Sequence, residues 1–186
     1  MFSKARNRNQ NRFEGDYDAG RLVILGIVVI DLAAIAIAND VFGKLIINYW
    51  PGMASLFAGL LFAIIIIRLG RPALYIDWVA NGVLHVCLGI VLTNDAYLLS
   101  TWFAISFYTL LIACGLTTTW IGVTLPFGNG RPSFVAGGLA SLVVAASAIF
   151  DRLVTQAIAP DTILASLLLL LGLSTSYLGL SLRRKV

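Results

Sequence analysis

Two ionisable side chains stand inside apolar runs: Asp31 within 22–38 and His85 within 79–92. A charge at the centre of a bilayer costs about 2.5–3.5 kcal/mol on insertion scales, so each is a functional candidate. An acid at that depth could hold a proton or a cation. An imidazole could titrate with it, or ligate a haem or pigment, which makes His85 a weak cofactor-binding candidate. The alternative is structural. Asp31 would then be protonated or bonded to the hydroxyls at 117–119 or 174–176, and His85 would be bonded to a neighbouring helix. Both readings stay open at this level.

Spacing bears on whether the two could act together. An internal repeat, set out below, aligns Asp31 with Cys87 and Val143, and His85 with Val29 and Ser141. The two positions are two residues apart in register, so they point about 200° apart around equivalent helices. A shared Asp–His relay is not expected, nor is an ion pore lined alike by all three copies.

Other chemistry has less to stand on. One histidine and no cluster of carboxylates give no metal site and no hydrolytic triad. Cys87 and Cys114 are single and far apart, which fits small buried residues better than redox chemistry. The stretch Gly128-Asn129-Gly130-Arg131-Pro132 is a turn signal without the Lys-Ser/Thr of a phosphate loop. The expectation is a protein that is not an enzyme, with no catalytic residues, no metal, no required cofactor and no nucleic-acid partner.

The elements that must carry these residues are membrane helices. The chain is 59% apolar and 12% charged, with a mean hydropathy of +0.91. Soluble domains are nearer half apolar and a quarter charged, so this chain needs lipid as its solvent. Six apolar segments lie at about 22–38, 45–67, 79–92, 96–123, 134–150 and 163–182. Each can cross a core roughly 30 Å thick, the third only by borrowing its flanks. Backbone groups in lipid must pair within their own segment, which makes the runs helices. They also lack the in/out alternation of barrel strands.

Basic residues set the orientation. Lys4, Arg6, Arg8, Arg12, Arg21, Arg68, Arg71, Arg131, Arg183, Arg184 and Lys185 fall on one side. Lys44 and Arg152 fall on the other, with Asp40, Asp95, Asp151 and Asp161. The positive-inside rule then puts both termini in the cytoplasm of a multi-pass protein of the plasma membrane. Tyr49, Trp50, Tyr97 and Trp102 are expected at the outer boundary, and Tyr75, Trp78 and Trp120 at the inner one. The tail 1–20 reads as a polar, basic orientation signal that could also touch anionic headgroups. The first segment, ending in Ala-Ile-Ala, imitates a cleavable signal, but Asp31 interrupts it and its removal would truncate a repeat.

That repeat recurs about every 56 residues. Gly26, Gly82 and Gly138 sit near the start of three segments, Asp40, Asp95 and Asp151 follow them, and Gly59, Gly115 and Gly172, each followed by Leu, lie in the other three. The fold expected is all-α: six transmembrane helices as three parallel two-helix hairpins around a pseudo-threefold axis. The copies cover about 19–75, 76–130 and 131–183, and 184–186 is a cytoplasmic end. Copies with an even number of spans insert alike, related by an axis along the membrane normal. The six glycines are candidate helix-packing positions, because small residues let backbones approach. Ser55/Gly59, Gly137/Ser141/Ala145 and Gly172/Ser176 show the four-residue spacing such contacts use.

Three hairpins with a recurring glycine resemble the HdeD family of bacterial inner-membrane proteins. The middle copy carries the likeness best, in Asp77-Trp78-Val79-Ala80-Asn81-Gly82-Val83-Leu84 through Leu88-Gly89-Ile90-Val91-Leu92, then Gly115-Leu116 and Ile121-Gly122. The resemblance spans about 19–183. It implies a bacterial inner-membrane protein associated with acid resistance, with no established enzymatic activity and no catalytic residues to transfer. Two other functions fit the residues: an accessory subunit packed against a larger energy-transducing membrane complex, or a small proton or solute transporter using Asp31. Lipids are the partners common to all three.

Overall fold

Apolar runs that bury their backbone polar groups in i to i−4 hydrogen bonds account for nearly all of the described residues. The structure, a computed structural model, describes residues 16–42, 52–69, 76–125, 130–154 and 158–183. They form six helices: α1 Asp16–Val41, α2 Met53–Leu69, α3 Ile76–Asn94, α4 Thr101–Thr124, α5 Arg131–Val154 and α6 Pro160–Arg183. Five are long and apolar enough to cross a membrane, and the sixth, α2, is apolar but only 17 residues long. The protein is a multi-pass membrane bundle. Arg21, Arg68, Arg131 and Arg183 mark its basic end, and Asp40, Asp95, Asp151 and Asp161 its acidic end.

Two helices start later than the sequence expectation, α2 and α4. The third segment borrows its flanks as expected, so that α3 runs to 19 residues. The short helix is α2, because the run 45–67 is broken at Pro51-Gly52. Gly52 takes φ +83°, a left-handed conformation that only glycine adopts cheaply, and helix begins at the next residue. The fourth helix starts at Thr101 and not at 96, since Asp95 accepts hydrogen bonds from the amides of Leu99 and Ser100 at 3.1 and 2.7 Å. Those bonds hold 95–100 as a turn.

The tightest helix pairs are α6 with α1, α2 with α3, and α4 with α5, each antiparallel. Each joins the second helix of one sequence copy to the first helix of the next, so the ring closes through the contact of α6 with α1. Helices within one copy pack more loosely. The pseudo-threefold order is visible in the interior: Leu22, Trp78 and Phe134 are equivalent positions and all are buried, as are Val29, His85 and Ser141. The ring is not regular, however. α6 has 61% of its span buried against 33% for α1, and it also touches α2 and α3.

Trp78 departs from its expected place in the aromatic belt. It is 5% exposed and lies between Phe62 (6.1 Å, stacked) and Phe134 (5.1 Å, tilted), closing the basic end of the interior. Its register with Leu22 and Phe134 puts it inside, and that outweighs the preference of tryptophan for headgroups. Tyr97, Trp102 and Trp120 are exposed on the outer surface of the bundle. Tyr49, Trp50 and Tyr75 lie outside the described residues, as does most of the tail 1–20.

Candidate functional site

The acidic end is fastened by its carboxylates. Asp161, in the first turn of α6, accepts from the Gly52 amide at 3.1 Å, and Thr162 donates to Asp40 at the end of α1. These two bonds seat the start of α6 against both helices of the first copy. Asp151 is buried at the end of α5 and accepts from the Ile158 amide at 3.1 Å. Arg152 donates to the Leu98 carbonyl at 3.1 Å and so bridges the second and third copies. The Ser100 amide, helped by those of Leu99, Tyr97 and Leu98, holds the Asp95 carboxyl below the usual carboxylate range.

His85 and Asn81 lie one turn apart on the inward face of α3, and both are buried. The Asn81 carbonyl accepts from the Thr117 hydroxyl at 3.0 Å, which ties α3 to α4. Thr117 also lies within bonding distance of the Ala113 and Cys114 carbonyls. Ser55 of α2 donates to the main-chain carbonyl of His85 at 2.8 Å. The imidazole Nδ1 of His85 and the amide Nδ2 of Asn81 have no partner among the described residues. The expected bond from His85 to a neighbouring helix is therefore made by its backbone and not by its ring.

Most other interior hydroxyls bond back to their own helix: Thr118 to Cys114, Ser141 to Gly137 and Thr175 to Leu171, each at 2.8 Å. Such bonds satisfy a hydroxyl without linking helices. The sequence reading does not single out Asn81, although its place one turn before His85 puts both on one face.

Asp31 is elsewhere. It is exposed on the outer surface of α1, midway along its length, and has no hydrogen-bond partner among the described residues. Of the hydroxyls expected to reach it, Thr117 meets Asn81 and Ser174 donates to the Ser133 carbonyl at 3.0 Å, while Ser176 faces Gly26 of α1 and bonds to none of the described residues. The reason is register. Val29 and Ala33, two residues to either side of Asp31, are both buried. Asp31 and His85 thus lie on opposite radial sides, one toward lipid and one toward the axis.

Comparison with family models, with curated proteins and with solved structures gives no match. The arrangement is therefore characterised by its own geometry. Among the described residues no three His, Cys, Asp or Glu side chains come together as a metal site, and Cys87 and Cys114 are free thiols. What the chain displays is an interior polar pair on α3 and one acid presented to the bilayer.

Proposed function

We propose that this protein is a non-enzymatic membrane bundle that works through its lipid-facing surface, as an accessory subunit of a larger membrane assembly. The observation that carries this reading is the outward position of Asp31. An acid at mid-depth is costly when it faces hydrocarbon and is normally directed to a bundle interior or to another polar group. Gentle extraction followed by native mass measurement tests it. A particle well above one 20.0 kDa chain, with other polypeptides in fixed proportion, is the expected result. A particle holding a single copy and detergent would count against it.

A second reading keeps the HdeD-like stress role, favoured by the three-copy hairpin repeat. It places the protein in a bacterial inner membrane with both termini cytoplasmic, in line with the arginines at one end of the bundle. Survival of a deletion strain after acid challenge tests it, and unchanged survival would remove it. The outward position of Asp31 speaks against transport through this residue. Proton or solute flux in liposomes is expected to be the same for wild type and Asp31→Asn.

A further inference from the structure

We propose that the face of α1 around Asp31 is a docking surface for a transmembrane helix of a different protein, one that carries a lysine or arginine at the depth of Asp31. The proposal rests on the subunit reading above and names the chemistry of the partner. The face itself is a continuous strip. Ile24, Ile27, Asp31, Ala34 and Ile35 are all exposed and recur at three- and four-residue intervals along one side of α1. Ala34, one turn beyond Asp31, leaves room for a second backbone to approach, as small residues do in membrane interfaces.

Asp31 cannot reach the headgroups from its place on α1. It lies ten residues from the end of α1 at Val41, which is about 15 Å at the helical rise of 1.5 Å per residue. A two-carbon side chain does not span that distance to the headgroups, whereas a lysine snorkels over a shorter one. No described residue of this chain bonds to it. Among the described residues no complementary donor reaches it.

A second copy of the chain is a poor donor. Pairing α1 with itself sets acid against acid. The described arginines are Arg21, Arg68, Arg131, Arg152 and Arg183, and each sits toward a helix end. The other eight basic residues fall outside the six helices in sequence. Among the described residues nothing brings a cation to the middle of a lipid-facing surface. The charge that complements Asp31 belongs to another polypeptide.

The test uses the whole chain in phosphatidylcholine vesicles, dye-labelled at its C-terminus. The probe is an acceptor-labelled leucine–alanine transmembrane helix with one central lysine, and its all-leucine counterpart is the reference. Energy transfer should show about tenfold tighter association with the lysine helix. Asp31→Leu should reduce this to the level of the leucine helix, and Ala34→Leu should weaken it by crowding the same strip. Equal association of the two helices with wild type, or no change in Asp31→Leu, would overturn the proposal. So would transfer between two copies of the chain that depends on Asp31, which would make the occupant a second copy. A large native particle combined with indifference to the lysine helix would keep the subunit reading and remove this interface. A single-copy native particle combined with lysine-dependent association would do the reverse.

Discussion

Gly59 and Gly82 meet backbone to backbone where α2 crosses α3: a methyl on Gly59 would stand 2.5 Å from the Gly82 carbonyl oxygen. Each glycine also faces the residue four positions beyond the other, Gly59 against Val86 and Gly82 against Ala63. The same register recurs at the other two tight interfaces. Gly26 faces Ser176 while Gly172 faces Ile30, and Gly138 faces Thr119 while Gly115 faces Leu142. One antiparallel crossing is therefore built three times, from the six glycines that mark the repeat. Close approach of this kind replaces the hydrophobic drive that lipid cannot supply between helices.

The crossing geometry orders the cost of adding a methyl group. On Gly59 it would meet main-chain atoms of α3 at 2.5 and 2.7 Å, whereas on Gly82 the nearest atoms lie at 3.0 Å. Gly59→Ala is expected to destabilise the bundle by about 1–3 kcal/mol, and Gly82→Ala by less. Gly20, in α1 with open space around it, is the control. Gly20→Ala should be neutral or stabilising by up to about 1 kcal/mol through helix propensity alone. Unfolding in mixed micelles checks the order, and equal costs for Gly59→Ala and Gly20→Ala would contradict the close crossing.

Leu98 gives a prediction in which two magnitudes compete. It holds φ 50° while being 1% exposed. The left-handed conformation costs a non-glycine residue roughly 1–2 kcal/mol, but full burial of a leucine side chain contributes about 1.5–3 kcal/mol. Leu98→Gly should therefore destabilise slightly despite relieving the backbone. Arg152→Met, which removes the donor to the Leu98 carbonyl, should loosen the same turn. Faster amide exchange across 95–100 in both variants is the check.

The periodic features were legible in the chain, and the local breaks and inward turns were less so. Apolar runs and a glycine every 56 residues or so are enough to specify six helices in three copies, because lipid leaves the backbone no alternative to helix. The tight partners were harder to read: copy boundaries in sequence do not say that α2 packs more closely on α3 than on α1. Pro51-Gly52 inside an apolar run was a visible break whose effect is to shorten α2. Trp78 shows how register outranks residue type, since its equivalents Leu22 and Phe134 fix it inside. Asp31 was readable as unusual, but its direction needed the burial of Val29 and Ala33 around it. The pairing of Asn81 with Thr117 joins two helices across 36 residues, a contact that no local pattern encodes.

Acid should loosen the turn at Asp95. Its carboxyl is held below the ordinary range by the Ser100 amide and its neighbours, so the folded form binds a proton less readily than the unfolded one. The stabilisation is then fully present above the ordinary carboxylate value of about 3.9, and it fades as pH falls through the lower folded value. Relative to the intrinsic rate at each pH, exchange of the Leu99 and Ser100 amides should stay slow at neutral pH and quicken below about pH 4. In Asp95→Asn that pH dependence should disappear. A quickening that persists in the variant would place its cause elsewhere.

The polar pair on α3 can be tested against its apolar equivalent. Asn81 corresponds to Leu25 of the first copy, which is fully buried, and the Nδ2 of Asn81 has no partner among the described residues. Replacing both halves of a buried polar contact by apolar groups is nearly neutral, whereas removing one half strands the other. Thr117→Val leaves the Asn81 carbonyl without its hydroxyl and should cost about 1–2 kcal/mol. Asn81→Leu should cost less, since Thr117 retains the Ala113 and Cys114 carbonyls as acceptors. The double variant should match Asn81→Leu within error, the mark of two residues acting as one unit. If Asn81→Leu instead leaves stability intact but changes the composition of the native particle, the pair contributes to assembly and not only to packing.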